Sequence, residues 1–363
     1  MTKDELQGMA AKQLAKCKRY VCQWATGCGK TRVALLFLEE HPGMQCLIVV
    51  PEQDNINNWH DEFKKFNVDE GNVTIICYAS LHKYKDTSWG LLVLDEAPHA
   101  DTQKRKQILR TMNAEYVLAL GAVVDMEEMD SLESVYGPFK KWRVTLDMAI
   151  AWGILPGPTI TICHLELDDK MPKVWYKGKA YTEKKYYTIL ENKVSSAVDV
   201  YNKNASERNK RKMLSYGNER KRFLGECKQN AAKLLCEELE KNNKRFLCFC
   251  SSIKQDQALG GDRAYTSQSK KSMAHLDKFN NHEINSLYVV GKLIEGQNLK
   301  DIECGVIVQL GGTERITVQS IGRIMRSDNP VIYVPVFDGT KDDSFLYTLT
   351  DNIPDNCIKH YKF

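Results

Sequence analysis

The segment Ala25-Thr26-Gly27-Cys28-Gly29-Lys30-Thr31 constrains this chain more than any other feature of it. It follows a strand-length apolar run, Tyr20–Trp24, and opens a helix-period stretch, Thr31–Glu40. A strand that turns through glycines into a helix beginning Lys-Thr is the setting of a phosphate-binding loop. Gly27 and Gly29 let backbone N–H groups turn toward phosphate oxygens, and the helix N-terminus adds the positive end of its dipole. Lys30 is then placed to reach β- and γ-phosphates, and the Thr31 hydroxyl to ligate Mg²⁺. A ligand-free turn is the plainer alternative, but it leaves Lys-Thr at a helix start with no packing purpose. Thr26 to Thr31 are therefore the candidate nucleotide contacts, Cys28 through its place in the loop backbone alone. The general pattern carries a first glycine where this chain has Trp24.

The rest of the chain is consistent with the α/β setting such a loop needs. Strand-sized runs at Gln45–Val50, Val73–Tyr78, Leu91–Leu94 and Tyr116–Ala122 alternate with helical stretches such as Ile56–Phe66. Apolar strands alternating with helices predict a parallel sheet covered on both faces. The pattern breaks at Leu155-Pro156-Gly157-Pro158, one strand candidate follows (Thr159–Leu165), and then comes a basic stretch of weak periodicity. Alternation resumes with strand candidates Arg245–Cys250, Ser286–Val290, Gly305–Leu310 and Val331–Phe337, and helices over Phe223–Lys241, Ser272–Asn280 and Arg315–Met325. The expected architecture is two α/β domains, residues 1–157 and 226–363, joined by a basic, partly helical connector, residues 158–225.

Composition removes several classes. At 363 residues with 43% hydrophobic and 27% charged residues, the chain has material for two cores and is not a disordered polymer. No apolar run reaches membrane-spanning length and the first twenty residues hold no apolar leader segment, so neither a membrane span nor a secretory signal is expected. The twelve cysteines include no Cys-x-x-Cys and no zinc-like spacing to histidine. They read as reduced, structural thiols of a cytoplasmic protein. The net charge of +4 is uneven: Glu166–Gly225 carries fifteen Lys/Arg against eight Asp/Glu, an excess of seven.

A second chemical signal follows the phosphate loop. Leu91–Leu94 ends in Asp95-Glu96. In phosphate-loop enzymes, carboxylates at such a strand end handle Mg²⁺ (Asp95) and orient and deprotonate the attacking water (Glu96). Here the residues resemble superfamily 2 helicases and translocases, whose second motif reads D-E-x-H or D-E-x-D. This chain reads Asp95-Glu96-Ala97-Pro98-His99, with the histidine one position late.

The resemblance extends along nearly the whole chain. Gln319-Ser320-Ile321-Gly322-Arg323-Ile324-Met325-Arg326 resembles the sixth helicase motif. The resemblance implies that Arg323 and Arg326 act as arginine fingers on the γ-phosphate and that Gln319 touches the nucleotide or catalytic water. Glu295-Gly296-Gln297-Asn298 resembles the fifth motif, with Gly296 allowing close approach of a sugar-phosphate backbone and Asn298 reaching the ribose. Phe249-Cys250-Ser251-Ser252 resembles the fourth, with Ser251 a candidate phosphate contact. Leu47–Pro51 with Trp59 and Glu62-Phe63, and Tyr78-Ala79-Ser80-Leu81, resemble the motifs lining the nucleic-acid track, making Pro51 and Ser80 further candidates; Trp59 reads as core rather than as a stacking platform. The look-alikes are small phage-encoded helicases and the motor core of type III restriction subunits, which also carry the Gly153-Ile154-Leu155-Pro156 wording.

That resemblance implies two RecA-like domains in tandem with an ATP cleft between them, ATP and Mg²⁺ as cofactors, and a non-sequence-specific nucleic-acid track, DNA in preference to RNA. It implies a monomer in a bacterial host cytoplasm, with replication or recombination proteins as partners. The third motif departs from the family: Gly121-Ala122-Val123 stands where a hydroxyl-bearing S/T-A-T is usual, so ATP hydrolysis is expected with more weight than unwinding. An adenine-reading glutamine would lie upstream of the loop, with Gln13 as the candidate. In the basic stretch, Arg208, Lys210, Arg211 and Lys212 are the candidate phosphate contacts, and the aromatics among its lysines (Trp175, Tyr176, Tyr181, Tyr186, Tyr187, Tyr201) suit either base stacking or ordinary packing.

Overall fold

The computed structural model describes residues 1–265, 272–290, 299, 301–310, 324, 327–351 and 353–363. Two compact units are built chiefly on Met1–Gly157 and on Pro158–Ile294 with Ser327–Phe363.

In the first unit the strands are β1 (Arg19–Trp24), β2 (Cys46–Val50), β3 (Val73–Cys77), β4 (Ser88–Leu94), β5 (Asn113–Gly121) and β6 (Lys140–Val144). They form one sheet in the order β3-β2-β4-β5-β1-β6, every neighbouring pair parallel. The helices are α1 (Lys3–Cys17), α2 (Lys30–Glu40), α3 (Gln53–Phe66), α4 (Gln103–Leu109), α5 (Met126–Tyr136) and α6 (Leu146–Ala151). Every residue of β2 is buried, as the unbroken run Cys-Leu-Ile-Val-Val requires of a strand covered on both faces. α1 starts on a reciprocal cap, in which the Thr2 hydroxyl accepts from the Glu5 amide and the Glu5 carboxylate from the Thr2 amide. Its Leu6, Ala10 and Leu14 lie on one buried stripe.

The second unit holds β7 (Thr159–Leu165), β8 (Val174–Tyr176), β9 (Lys179–Tyr181), β10 (Phe246–Cys250), β11 (Ala264–Tyr265), β12 (Ser286–Val290), β13 (Cys304–Ile307), β14 (Val331–Phe337) and β15 (Ile358–Lys362). Seven of them make a parallel sheet in the order β11-β12-β10-β13-β14-β7-β15, and β8 with β9 forms a separate antiparallel hairpin. The helices are α7 (Glu183–Lys203), α8 (Glu207–Cys227), α9 (Gln229–Lys241), α10 (Ile253–Gly260), α11 (Ser272–Asn280) and α12 (Lys341–Thr350). The α/β class with two parallel sheets is thus the observed one.

Residues 158–225 contribute β7 to this second sheet, then the hairpin, then two 21-residue helices, α7 and α8. Tyr187 and Leu190 of α7 and Phe223 and Leu224 of α8 pack with Phe337 in one apolar cluster. The expected single helix Phe223–Lys241 is broken at Lys228, whose fully buried amine pairs with the fully buried Asp342 carboxylate at 2.7 Å. Gln309 bridges both partners, accepting from Lys228 and donating to Asp342, so the buried charges are hydrogen-bonded as well as paired. β6 and β15 lie at sheet edges, and their charged sequences hid them from an apolar-run reading. The expected helix Arg315–Met325 lies outside the described residues, apart from Ile324. All twelve cysteines are free thiols.

Candidate nucleotide and nucleic-acid sites

β1 delivers the phosphate loop at the carboxyl edge of the first sheet, where ligands of open α/β sheets bind. Gly27 and Gly29 have φ of +97° and +77°, a region that side chains disfavour. A Cβ on Gly29 would stand 2.2 Å from Gln7 Nε2, so the loop is closed against α1 as well as curled.

That contact decides which way the loop amides face. Lys3 Nζ donates to the Gly27 carbonyl (2.9 Å), and Gln7 Nε2 to the carbonyls of Cys28 (3.1 Å) and Gly29 (3.2 Å). The C=O and N–H of a trans peptide point in opposite directions. Drawing three successive carbonyls toward α1 therefore turns the amides of Gly29 and Lys30 away from it. An anion cradle fits these residues on that observation, with α2 starting at Lys30 behind it. The Lys30 amine donates to the Trp24 carbonyl at 3.1 Å, holding the cation beside the loop. Trp24 itself is a fully buried core residue, edge-on to Trp142. Cys28 is buried, and burial raises its thiol above the ordinary range although Lys30 and Lys3 pull the other way, so it is no activated nucleophile.

Lys3 and Gln7 were not marked by the sequence. One helical turn apart, they share a face of α1, but nothing local says that this face meets a loop some twenty residues on. Gln13 lies elsewhere: its Oε1 accepts from Lys140 Nζ at 2.7 Å.

β4 ends at Asp95-Glu96 on the same sheet edge, with β5 between it and β1. The Asp95 carboxylate is fixed through both oxygens. Oδ2 accepts from the Trp59 indole Nε1 at 2.9 Å and Oδ1 from the Glu96 amide at 3.0 Å. Burial pushes the Asp95 carboxyl up to about 6, with the Glu96 charge adding to it; the Trp59 donor and the Lys30 cation pull it back. Glu96 sits at φ 45°, ψ 61°, the left-handed region, which is uncommon for a non-glycine residue and costs on the order of 1 kcal/mol or more. Trp59 is core, but its polar edge serves the acidic pair, and that second role carried no sequence signal.

His99 follows within a short 3₁₀ turn, Ala97–Ala100. Its ring stacks on Tyr78 at 6.1 Å, and its carbonyl accepts from Arg105. Tyr78 in turn donates to the Asp95 carbonyl at 3.1 Å. Gly121, in the third-motif position, ends β5; a Cβ there would stand 3.6 Å from Pro98 Cδ and 2.9 Å from Val124. Pro51 and Ser80 follow β2 and β3, whose ends pair at Val50 and Cys77, so both lie on this sheet edge too.

Residues 2–126, which hold the loop and the acidic pair, match the family model "Type III restriction enzyme, res subunit". The whole chain is similar in fold to the Hef helicase domain of Pyrococcus furiosus, with TM-score 0.57 at 13% identity over 96% of this chain and 99% of that one. The likeness over the length of the chain is one of fold, and the sequence likeness to the restriction subunit spans residues 2–126. A weaker likeness is to the Sulfolobus solfataricus SWI2/SNF2 ATPase core in complex with dsDNA, with TM-score 0.38 at 14% identity over 95% of this chain and 89% of that one, a value too low to mark a shared arrangement. No curated protein matches the sequence.

In the second unit the candidate phosphate contacts are redistributed by helix geometry. Arg208, Lys210, Arg211 and Lys212 are all exposed on α8. At 100° per residue Arg208 lies one turn before Arg211 and Lys212 on a shared side, while Lys210 stands about 100° from Arg211 and faces away from Arg208. Arg211 instead begins a stripe with Ser215, Asn218 and Arg222, and this stripe lines a groove of about 710 Å³ with Ser251 among its walls. Lys221 also lines it, its amine held below the usual range by burial and by the nearby Lys228 cation.

Ser251 itself is engaged. Its amide and hydroxyl both donate to Gln255 Oε1, at 2.8 and 2.9 Å, while Gln255 Nε2 donates to the Gly225 carbonyl at 2.6 Å. Ser252 caps α10 by accepting from the Gln255 amide. The fourth-motif hydroxyls therefore anchor α8 and α10 to the end of β10, and the cations Arg211, Lys221 and Arg222 line the groove together with Glu219 and Ser251. Gly296, Asn298, Gln319, Arg323 and Arg326 lie outside the described residues.

Proposed function

We propose that this chain is a superfamily 2 helicase, an ATP-driven nucleic-acid motor. The observation that carries the reading is the carboxyl edge of the first sheet, where a loop with its amides turned outward, the Lys30 amine and the paired carboxylates of Asp95 and Glu96 come together. In the proposal, the Gly29 and Lys30 amides bind phosphate oxygens and Lys30 neutralises the β/γ end. Thr31 and Asp95 would hold Mg²⁺, whose contribution is to screen phosphate charge. Glu96, held in a left-handed backbone, orients the attacking water and takes its proton. Arg323 and Arg326 supply the transition-state cations and Gln319 touches the water, as the resemblance implies; Asn298 meets the ribose.

The track is a polyanion held by charge rather than read by base edge. The α8 stripe Arg211–Arg222, with Arg208, Lys210 and Lys212 around it, supplies the cations, and Pro51, Ser80, Ser251 and Gly296 supply backbone-level contacts. DNA is the proposed polymer, in keeping with the restriction-subunit likeness, and remodelling of branched DNA in replication or recombination is the proposed setting, by a monomer. One observation favours a second reading, a nucleotide-gated clamp that hydrolyses slowly: Gly121 stands where the family carries a hydroxyl, and a side chain there would meet Val124 Cγ2 at 2.9 Å and Pro98 Cδ at 3.6 Å.

Glu96→Gln and Lys30→Ala separate the two halves of the chemistry. Glu96→Gln is expected to bind ATP with near wild-type affinity and lose hydrolysis by at least about 100-fold, the usual scale of a lost general base. Lys30→Ala is expected to lose both. Hydrolysis by Glu96→Gln at the wild-type rate would remove the proposed base.

A further inference from the structure

β8 and β9 form a minimal hairpin, pairing Val174 with Tyr181, Trp175 with Ala180 and Tyr176 with Lys179. Lys177 and Gly178 turn it with φ of 49° and 75°, the double positive φ that a tight two-residue turn needs. Side chains alternate along such strands, so the hairpin has two unlike faces.

One face is mounted on the helices behind it. The Tyr176 ring lies 5.3 Å from Tyr186, which stands edge-on to Phe223 of α8, and Val174 packs against the same cluster. The Lys193 amine sits 4.7 Å from the centre of the Tyr176 ring. The tyrosines Tyr176 and Tyr186 are thus spent on packing. The other face carries Trp175, which is 76% exposed. Its cross-strand neighbour is Ala180, a methyl group that leaves the ring uncovered. Lys179 pairs across from Tyr176 and the Lys177 amine lies 5.4 Å from the centre of the Tyr176 ring, so both exposed cations stand on the Tyr176 side of the turn; Lys173 is occupied by Asp168 at 2.7 Å.

We propose that the Trp175 face of this hairpin is a stacking platform for an unpaired base of single-stranded nucleic acid. The indole supplies a flat apolar surface on a rigid mount, within a stretch of the chain whose cations attract the phosphates of the strand. Complementary charge points to a polyanion as occupant: residues 166–225 carry fifteen cationic against eight anionic side chains. A duplex hides its base faces in its own stack, so the platform selects single strands. The proposal rests on the reading of this chain as a nucleic-acid binder and adds to it the strand type and the residue that senses it.

The test is equilibrium binding of the full chain to a fluorescein-labelled single-stranded oligonucleotide and to a blunt duplex of the same sequence. Wild type, Trp175→Ala and Trp175→Phe are compared at several salt concentrations. Trp175→Ala is expected to weaken single-strand binding about 5- to 100-fold, the range for removal of one base–aromatic stack. Duplex affinity should stay within about twofold and the single-strand salt slope should not change, because every phosphate-binding cation is still present. Trp175→Phe should restore most of the affinity. Equal single-strand affinity for wild type and Trp175→Ala would overturn the platform while leaving the nucleic-acid reading intact, as would a parallel weakening on both polymers or a change confined to self-association. A wild-type chain that binds neither polymer would overturn the nucleic-acid reading itself, and the platform with it.

Discussion

The indole N–H of Trp59 and the carboxylate of Asp95, 36 residues apart, meet in a 2.9 Å hydrogen bond. α3 buries the Trp59 ring to 2% exposure while its polar edge reaches the end of β4. With the Glu96 amide on the other oxygen, the bond fixes the plane of the carboxylate. Trp59→Phe keeps an aromatic ring in the core and removes the donor. It is expected to raise the Mg²⁺ concentration for half-maximal ATP hydrolysis several-fold and to cut turnover about 10-fold, the scale of one hydrogen bond to a charged group. A magnesium titration of the variant checks this. Wild-type magnesium dependence would reduce Trp59 to packing alone.

Gln7 gives the second prediction. It holds two loop carbonyls from a buried position on α1. Gln7→Ala frees the peptide planes that aim the loop amides, so ATP should bind about 5- to 10-fold more weakly, one to two neutral hydrogen bonds. Turnover at saturation should stay within about twofold, because the group acts on binding and not on the transition state. Gln13→Ala, which removes only a surface hydrogen bond from Lys140, should leave both constants unchanged.

On α8, helix periodicity separates cations that the sequence runs together. Neutralising Arg211 and Arg222, which line one groove, should weaken nucleic-acid binding more than neutralising Lys210 and Lys212, which lie to either side of that stripe. The salt slope should fall by about one for each phosphate that is no longer neutralised. Binding measured from about 50 to 200 mM salt decides it. Equal effects of the two pairs would return the groove to an ordinary solvated surface.

Asp256 provides the pH prediction. It is fully buried in α10, and neither carboxylate oxygen has a hydrogen-bond partner among the described residues. Burial pushes its carboxyl up to about 7 from the usual 3.8. Between those values the native state holds a proton that the unfolded chain has shed, so stability falls as pH rises through the interval and the full penalty stands above pH 7. Asp256→Asn removes the ionisation. Its thermal stability should match wild type near pH 4 and exceed it near pH 8 by up to about 3–4 kcal/mol. Parallel pH profiles for the two proteins would show that Asp256 is not the group responsible.

What the sequence disclosed and what it hid divide along physical lines. The strand-to-helix turn at Gly27–Lys30 and the strand end before Asp95-Glu96 were legible because their geometry is local, set by glycines at positive φ and by an apolar strand that stops at two carboxylates. The sheets were legible where strands such as Cys46–Val50 are buried on both faces. Edge strands were not, because Lys140–Val144 and Ile358–Lys362 carry charged side chains outward. α8 was obscure for a related reason: few apolar residues are needed to pack one face, and the rest of its surface is Lys, Arg, Asn and Glu. Lys228, at the junction of α8 and α9, is buried against Asp342, 114 positions away, and no window around Lys228 shows that partner. Gln7 and Trp59 belong to the same class. Each is an unremarkable residue on a helix until tertiary structure brings its polar end to the Cys28 and Gly29 carbonyls or to the Asp95 carboxylate.

The central claim is that nucleotide hydrolysis at the edge of the first sheet is coupled to nucleic acid. Steady-state ATP hydrolysis tests it most directly, by the wild-type chain and Lys30→Ala, each alone and with single-stranded DNA, duplex DNA, forked DNA and RNA. The account predicts hydrolysis that DNA stimulates strongly in wild type and that Lys30→Ala lacks under every condition. Low hydrolysis in wild type, unchanged by any of the four polymers, would contradict it.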